Sequence, residues 1–222
     1  MTSLKIRYNY IHKLVNEIYI KHKIHSFPID INNIICSIKT YRIKILSYST
    51  VMEKYKLTEE EVSCMLTSED GCSVTNRDKH VIYYNDLGKF PYGRIRWTIA
   101  HELGHILCGH FRNNKTKVSQ RELLTDEEYG LMESEANYFA SLLLAHPEVL
   151  AKINVNNSYE IETFCELSTE ASKNTFKNLK TWKQYELSIG SDKDIAVNFQ
   201  EYIDEKISDY KEHLAFINAF YH

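Results

Sequence analysis

The chain has no excess of positive charge: 27 lysines and arginines stand against 30 aspartates and glutamates, for a formal net charge of -3 over 222 residues. A protein whose main partner is nucleic acid usually carries a basic surplus that displaces counterions from phosphates. Direct DNA or RNA binding is therefore disfavoured as the main activity. Cysteine is present but arranged for neither disulfides nor metal. Cys36, Cys64, Cys72, Cys108 and Cys165 are odd in number and widely spaced, and no C-x-x-C pair occurs. That excludes a regular disulfide framework and a thiolate zinc site, and predicts reduced cysteines used as small apolar residues. No apolar run approaches the ~20 residues of a membrane-spanning helix. The opening MTSLKIRYNYIHKLV contains no unbroken apolar stretch before a small-residue cleavage site, so no signal peptide is predicted. Together these absences predict a cytoplasmic protein with no membrane anchor. Internal repeats and low-complexity tracts are also missing, and the length suits one catalytic domain with a small appendage.

The patterns that are present are mostly helical. In residues 4–20, Leu4, Tyr8, Ile11, Leu14, Val15 and Ile18 recur three and four apart, the spacing of one helix face. Asp30 is placed to cap a second helix carrying Ile31, Ile34, Ile35 and Ile38. Residues 41–46 alternate weakly and read as a strand. Thr58 and Glu61 have capping-box spacing at the start of a helix over 58–66. Two β-rich runs, 72–75 and 81–84, flank a polar turn at 76–79 and predict a hairpin. A helix follows over 93–108, with Gly109 as its stop. Residues 112–130 are polar and read as a loop or a short exposed helix. Residues 131–145 form an apolar helix that His146-Pro147 ends.

Beyond Pro147, residues 158–182 suggest two short helices in a helix-turn-helix rhythm, with Ser168 capping the second. Their Lys173, Lys177, Lys180 and Lys183 read as a solvated face or a docking surface rather than a DNA contact. Residues 188–193 read as a linker and 195–220 as a terminal amphipathic helix. The expected division is a catalytic domain over 1–148 and a helical C-terminal region over 149–222.

The chemistry is concentrated in RIRWTIAHELGHILCGH, which holds H-E-x-x-H at residues 101–105. On a helix, His101 and His105 lie one turn apart on one face and can meet a single Zn²⁺. Glu102 is rotated about 100° from His101, which suits a general base acting on water beside the metal rather than a ligand. Trp97, Ile99, Ala100, Leu103, Ile106 and Leu107 would bury this helix, and polar residues in such surroundings are costly unless something satisfies them. Zinc, one ion per chain, is the expected cofactor, and a zinc peptidase the expected activity.

A third ligand is needed. The three-histidine form of the motif requires His where Phe111 stands, and His110 is one residue early. The apolar segment LMESEANYFASLLL offers Glu133 and Glu135 instead. They point about 200° apart around a helix axis. Asn137, one turn after Glu133, can hydrogen-bond a ligating histidine. That favours Glu133 as ligand, and leaves Glu135 as the alternative. Tyr84, at the end of the hairpin, is a candidate for substrate or oxyanion contact, with aromatic packing as the plainer role. Arg94 and Arg96 are expected in salt bridges, and Cys108 in the core.

The segments RIRWTIAHELGHILCGH, ESEANYFASLLL and the upstream IYYND resemble the ImmA/IrrE family of metallopeptidases. The resemblance spans about residues 10–185, and the tail beyond has no counterpart. It implies an α+β fold of the gluzincin kind, with a small sheet or hairpin beside the H-E-x-x-H helix, followed here by a helical region. It also implies cleavage of a helix-turn-helix repressor in a mobile-element or stress-response switch. The competing expectation is a non-catalytic regulatory or binding module of the same fold, or a toxin–antitoxin partner. The intact Glu102 argues against both.

Overall fold

The computed structural model describes residues 5–88, 90–111 and 124–221. The chain starts with helix α1 (Tyr8–Lys21) and α2 (Ile31–Ser37), the latter capped by Asp30, whose side chain accepts from the Asn33 amide. Strand β1 (Arg42–Ser47) runs directly into α3 (Tyr48–Tyr55), because the Ser47 hydroxyl accepts the Thr50 amide as a cap. Helix α4 (Glu59–Leu66) opens with the expected Thr58–Glu61 capping box. Strands β2 (Gly71–Asn76) and β3 (Lys79–Tyr84) form the expected hairpin. Strand β1 adds to its far side in parallel, giving the order β1-β3-β2.

Alternation along these strands separates two packing faces. Ile43, Ile45 and Ile82 turn toward the main core. Cys72, Val74 and Tyr83 turn the other way, into a smaller cluster with Tyr48, Val51, Val62 and Leu66. Ser73 lies opposite Ile82 and so shares the main-core face. The next helix, α5 (Tyr92–Leu107), packs against that face and against α6 (Asp126–Leu144). At the α5–α6 crossing Gly104 permits the approach. A Cβ there would lie 3.1 Å from Phe139 and 3.2 Å from the Ala136 backbone.

Among the described residues the remaining helices are α7 (Pro147–Lys152), α8 (Ser158–Cys165), α9 (Thr169–Gln184), α10 (Asp192–Asn198) and α11 (Gln200–Tyr221). The Ser168 side chain caps α9 as expected. The main core runs from Ile11 and Val15 through Leu103, Phe139 and Leu143 to Ile161, Ile195 and Phe199, without a break at residue 148. Among the described residues no helix is long and apolar enough to cross a membrane.

Three readings of the sequence are corrected. Helix α1 starts at Tyr8 rather than residue 4. Helix α6 begins at Asp126, five residues before 131. Thr125 and Glu128 form a capping box there, and three acids in the first turn complement the helix dipole. Of residues 112–130, read as a loop or a short exposed helix, 126–130 form the first turn of this longer helix, and 112–123 lie outside the described residues. The terminal helix expected over 195–220 is two helices that meet at Phe199. That ring is fully buried against Tyr19, Phe27 and Tyr202.

Candidate metal centre

The apolar face of α5 fixes where its polar residues go. Ile99, Ala100, Leu103 and Ile106 are buried in the core, which holds His101 and His105 toward α6 and Glu102 toward the sheet. His101 Nε2 and His105 Nε2 lie 3.1 Å apart. Glu133 of α6 brings Oε2 to 3.2 Å from His101 Nε2 and Oε1 to 3.4 Å from His105 Nε2. Three donors each ~2.1 Å from one ion at tetrahedral angles would be ~3.4 Å apart. The spacing therefore fits a single small cation. Two imidazoles and one carboxylate, with a fourth position open, is a donor set of catalytic zinc. The three residues form one of two groups among the described residues that can hold a metal ion.

Hydrogen bonds orient these donors. The Asn137 side-chain oxygen lies 2.9 Å from His101 Nδ1. A ring donating Nδ1–H there keeps the lone pair of Nε2 directed at the cluster. Glu102 is buried, and the Ser73 hydroxyl donates to its Oε2 at 2.5 Å. Ser73 reaches it because strand alternation puts that residue on the α5 side of β2.

Glu135 does not join the cluster. It is fully buried on another face of α6, where Arg7 and His110 bond it. Burial pushes its carboxyl up, but hydrogen bonds from the Arg7 guanidinium, from His110 and from the Arg7 amide outweigh this and hold it at about 2. It is therefore not the alternative third ligand but part of a separate buried pair. His110 Nδ1 lies 2.9 Å from His105 Nδ1, so His110 bonds a candidate ligand rather than serving as one. Burial pushes the Cys108 thiol up to about 12, consistent with core packing.

Tyr84 is half-buried beside the main core, and this burial raises the pKa of its hydroxyl. Arg94 makes the expected salt bridge, to Asp70 at 2.7 Å. Arg96 instead is buried, and its Nε and Nη2 meet no hydrogen-bond partner among the described residues. A cavity of about 870 Å³ lies between α1, α6, α7 and α9, lined in part by Arg7, Tyr138, Leu142 and Trp182. It opens on a different face of α6 from the metal cluster, so it is no part of this centre.

Sequence reading missed a second buried polar group. His12 and Asn16 of α1, His146 before α7 and Asp192 of α10 converge, and His12, His146 and Asp192 form the other potential metal group. Its hydrogen bonds satisfy it internally. Asp192 accepts from His12 Nε2 at 3.0 Å, from Asn16 at 2.6 Å and from the Ile189 amide at 2.8 Å. His146 Nε2 bonds Asn16 at 2.9 Å, and its Nδ1 accepts the Glu148 amide. The only sequence signal is polar residues set into apolar helix faces, and their partners are up to 180 residues away.

Residues 58–177, more than half of the chain, match the peptidase family described as the IrrE N-terminal-like domain. The matched segment contains His101, Glu102, His105, Glu133 and Asn137. No curated protein matches the chain. With the family matched over most of its length and its motif helices brought together in an α+β fold, the chain belongs to the IrrE N-terminal-like family of metallopeptidase type.

Proposed function

We propose that the protein is a zinc-dependent endopeptidase whose substrate is a helix-turn-helix regulator of the repressor type, cut within a mobile-element or stress-response switch. The observation that carries the catalytic part is the convergence of His101, His105 and Glu133 within ion-binding distance, one residue from the buried Glu102. The repressor substrate rests on the family resemblance alone.

In this reading His101, His105 and Glu133 hold the ion. When bound, zinc supplies Lewis acidity and brings the pKa of water toward about 7. Glu102 takes the proton of the attacking water and returns it to the leaving amide nitrogen. The Ser73 hydroxyl donates to Oε2 of Glu102 and fixes the orientation of that carboxylate. Asn137 holds the His101 ring. Among the described residues strand β2 is at an edge of the sheet, paired with β3. An extended substrate can add to its outer side by main-chain hydrogen bonds, next to Glu102.

The test is incubation of zinc-loaded protein with helix-turn-helix regulators encoded near its gene, followed by mass spectrometry. One discrete cut is expected, and Glu102→Gln should keep the zinc while losing the cut. Cleavage that survives Glu102→Gln would remove the proposed base. No cut in any regulator would remove the proposed substrate.

A further inference from the structure

We propose that Arg7, in the segment ahead of α1, is a positioning residue for the metal centre, acting through Glu135 and His110 on His105. This rests on the reading of His101, His105 and Glu133 as the metal ligands.

The chain of contacts is continuous. Arg7 grips Glu135 with its backbone amide at 2.9 Å, with Nε at 2.9 and 3.1 Å to the two oxygens, and with Nη2 at 2.5 Å. The same Nη2 donates to the Cys108 carbonyl at 2.9 Å, tying down the turn after α5 that carries His110. Glu135 Oε2 lies 2.9 Å from His110 Nε2, and His110 Nδ1 lies 2.9 Å from His105 Nδ1.

Donor logic gives this chain a direction. A carboxylate only accepts, so His110 must donate from Nε2. Its Nδ1 then accepts, and His105 must donate from Nδ1. That leaves the lone pair of His105 Nε2 facing His101 and Glu133. The Nδ1 of the other ligating histidine, His101, meets Asn137 on α6 directly. His105 is held by a series that crosses from α5 to α6 and back to residue 7. The fork of Arg7 sets the plane of the carboxylate, and that plane decides whether Oε2 meets His110. Arg7 lies far outside the family segment 58–177. The contribution therefore belongs to the N-terminal part of this chain, beyond the shared domain.

Zinc affinity of the full chain, measured by competition with a chromophoric chelator at one fixed neutral pH, tests this. Partners of ligating histidines are typically worth 10–100-fold in metal affinity. Arg7→Met should weaken zinc binding by about that factor and alter the visible spectrum of the Co²⁺-substituted protein, and Arg7→Lys should recover part of the loss. His110→Gln breaks the series while leaving the Arg7–Glu135 pair in place. It should weaken zinc similarly, and the double variant should lose little more than either single one. If Arg7→Met fails to fold, His110→Gln carries the test alone. Wild-type zinc affinity and an unchanged cobalt spectrum in His110→Gln, or in a folded Arg7→Met, would overturn the proposal and leave the metal centre standing. Wild-type protein that binds no zinc would overturn both.

Discussion

At the scale of single residues, the candidate site divides into groups that local spacing could place and groups that it could not. Asn137 is of the first kind, one turn after Glu133 and bonded to His101. Asn137→Ala should weaken zinc binding about 10–100-fold while leaving the fold intact, as chelator competition beside thermal unfolding would show. Ser73 is of the second kind. Nothing within the strand pattern distinguishes it from any other small polar residue, and it matters because it meets Glu102. Ser73→Ala should keep zinc affinity near wild type and lower peptidase turnover about tenfold or more, a split readable from parallel binding and cleavage assays. Glu133 and Glu135 show the boundary between the two kinds. Helical phase separates their directions, but the true partners of Glu135 lie at residues 7 and 110. No local pattern joins positions so far apart, and for that reason Glu135 reads from sequence as an alternative ligand rather than as the centre of a buried pair.

At the scale of elements, most helices and the hairpin were legible because caps and periodicities are local. The errors have local causes too. The start of α6 was signalled by Thr125-Asp126-Glu127-Glu128, a capping box with an acidic first turn, yet the polarity of that stretch masks it as a loop. The parallel pairing of β1 with β3 had no signal, since it depends on a crossover rather than on a turn. The register of helices against each other is set by small residues. Gly93, in the first turn of α5, lies against the turn between α8 and α9, where a Cβ would come within 2.5 Å of the Leu167 backbone. Backbone cannot yield as a side-chain tip does, so Gly93→Ala should destabilise by about 1–3 kcal/mol or more. Gly104→Ala, whose nearest contact is a Phe139 ring atom at 3.1 Å, should cost less. Denaturant unfolding of the two variants side by side gives the order.

At the scale of the molecule, the C-terminal helices are joined to the α1 side of the core by the buried group of His12, Asn16, His146 and Asp192. Burial pushes His146 down to about 3, with Asp192 opposing and His12 assisting. The folded protein therefore keeps this ring neutral, whereas the unfolded chain takes up a proton below about pH 6.5. The unfolded state binds more protons between those values, so stability must fall as pH falls through that window. Asp192 is held at about 2, against burial, mainly by its bonds from His12, the Ile189 amide and Asn16. Its contribution is complete above its ordinary value near 4 and is lost only in stronger acid. Lowering the pH from 7 to 5 should thus cost about 2 kcal/mol through His146. In His146→Gln, which can keep both hydrogen bonds, that part of the pH dependence should disappear. Urea unfolding of both proteins at the two pH values measures the difference. None of this was visible in the sequence, because the four residues belong to segments that only the finished fold brings together.

The claim on which everything else depends is that two imidazoles and one carboxylate bind a single zinc. X-ray absorption at the zinc edge of the loaded protein reads that donor set directly. Nitrogen and oxygen neighbours at ~2.0–2.1 Å, with the multiple-scattering pattern of two imidazoles, are predicted. A sulfur neighbour at ~2.3 Å, or folded protein that takes up no zinc, would contradict the assignment of His101, His105 and Glu133.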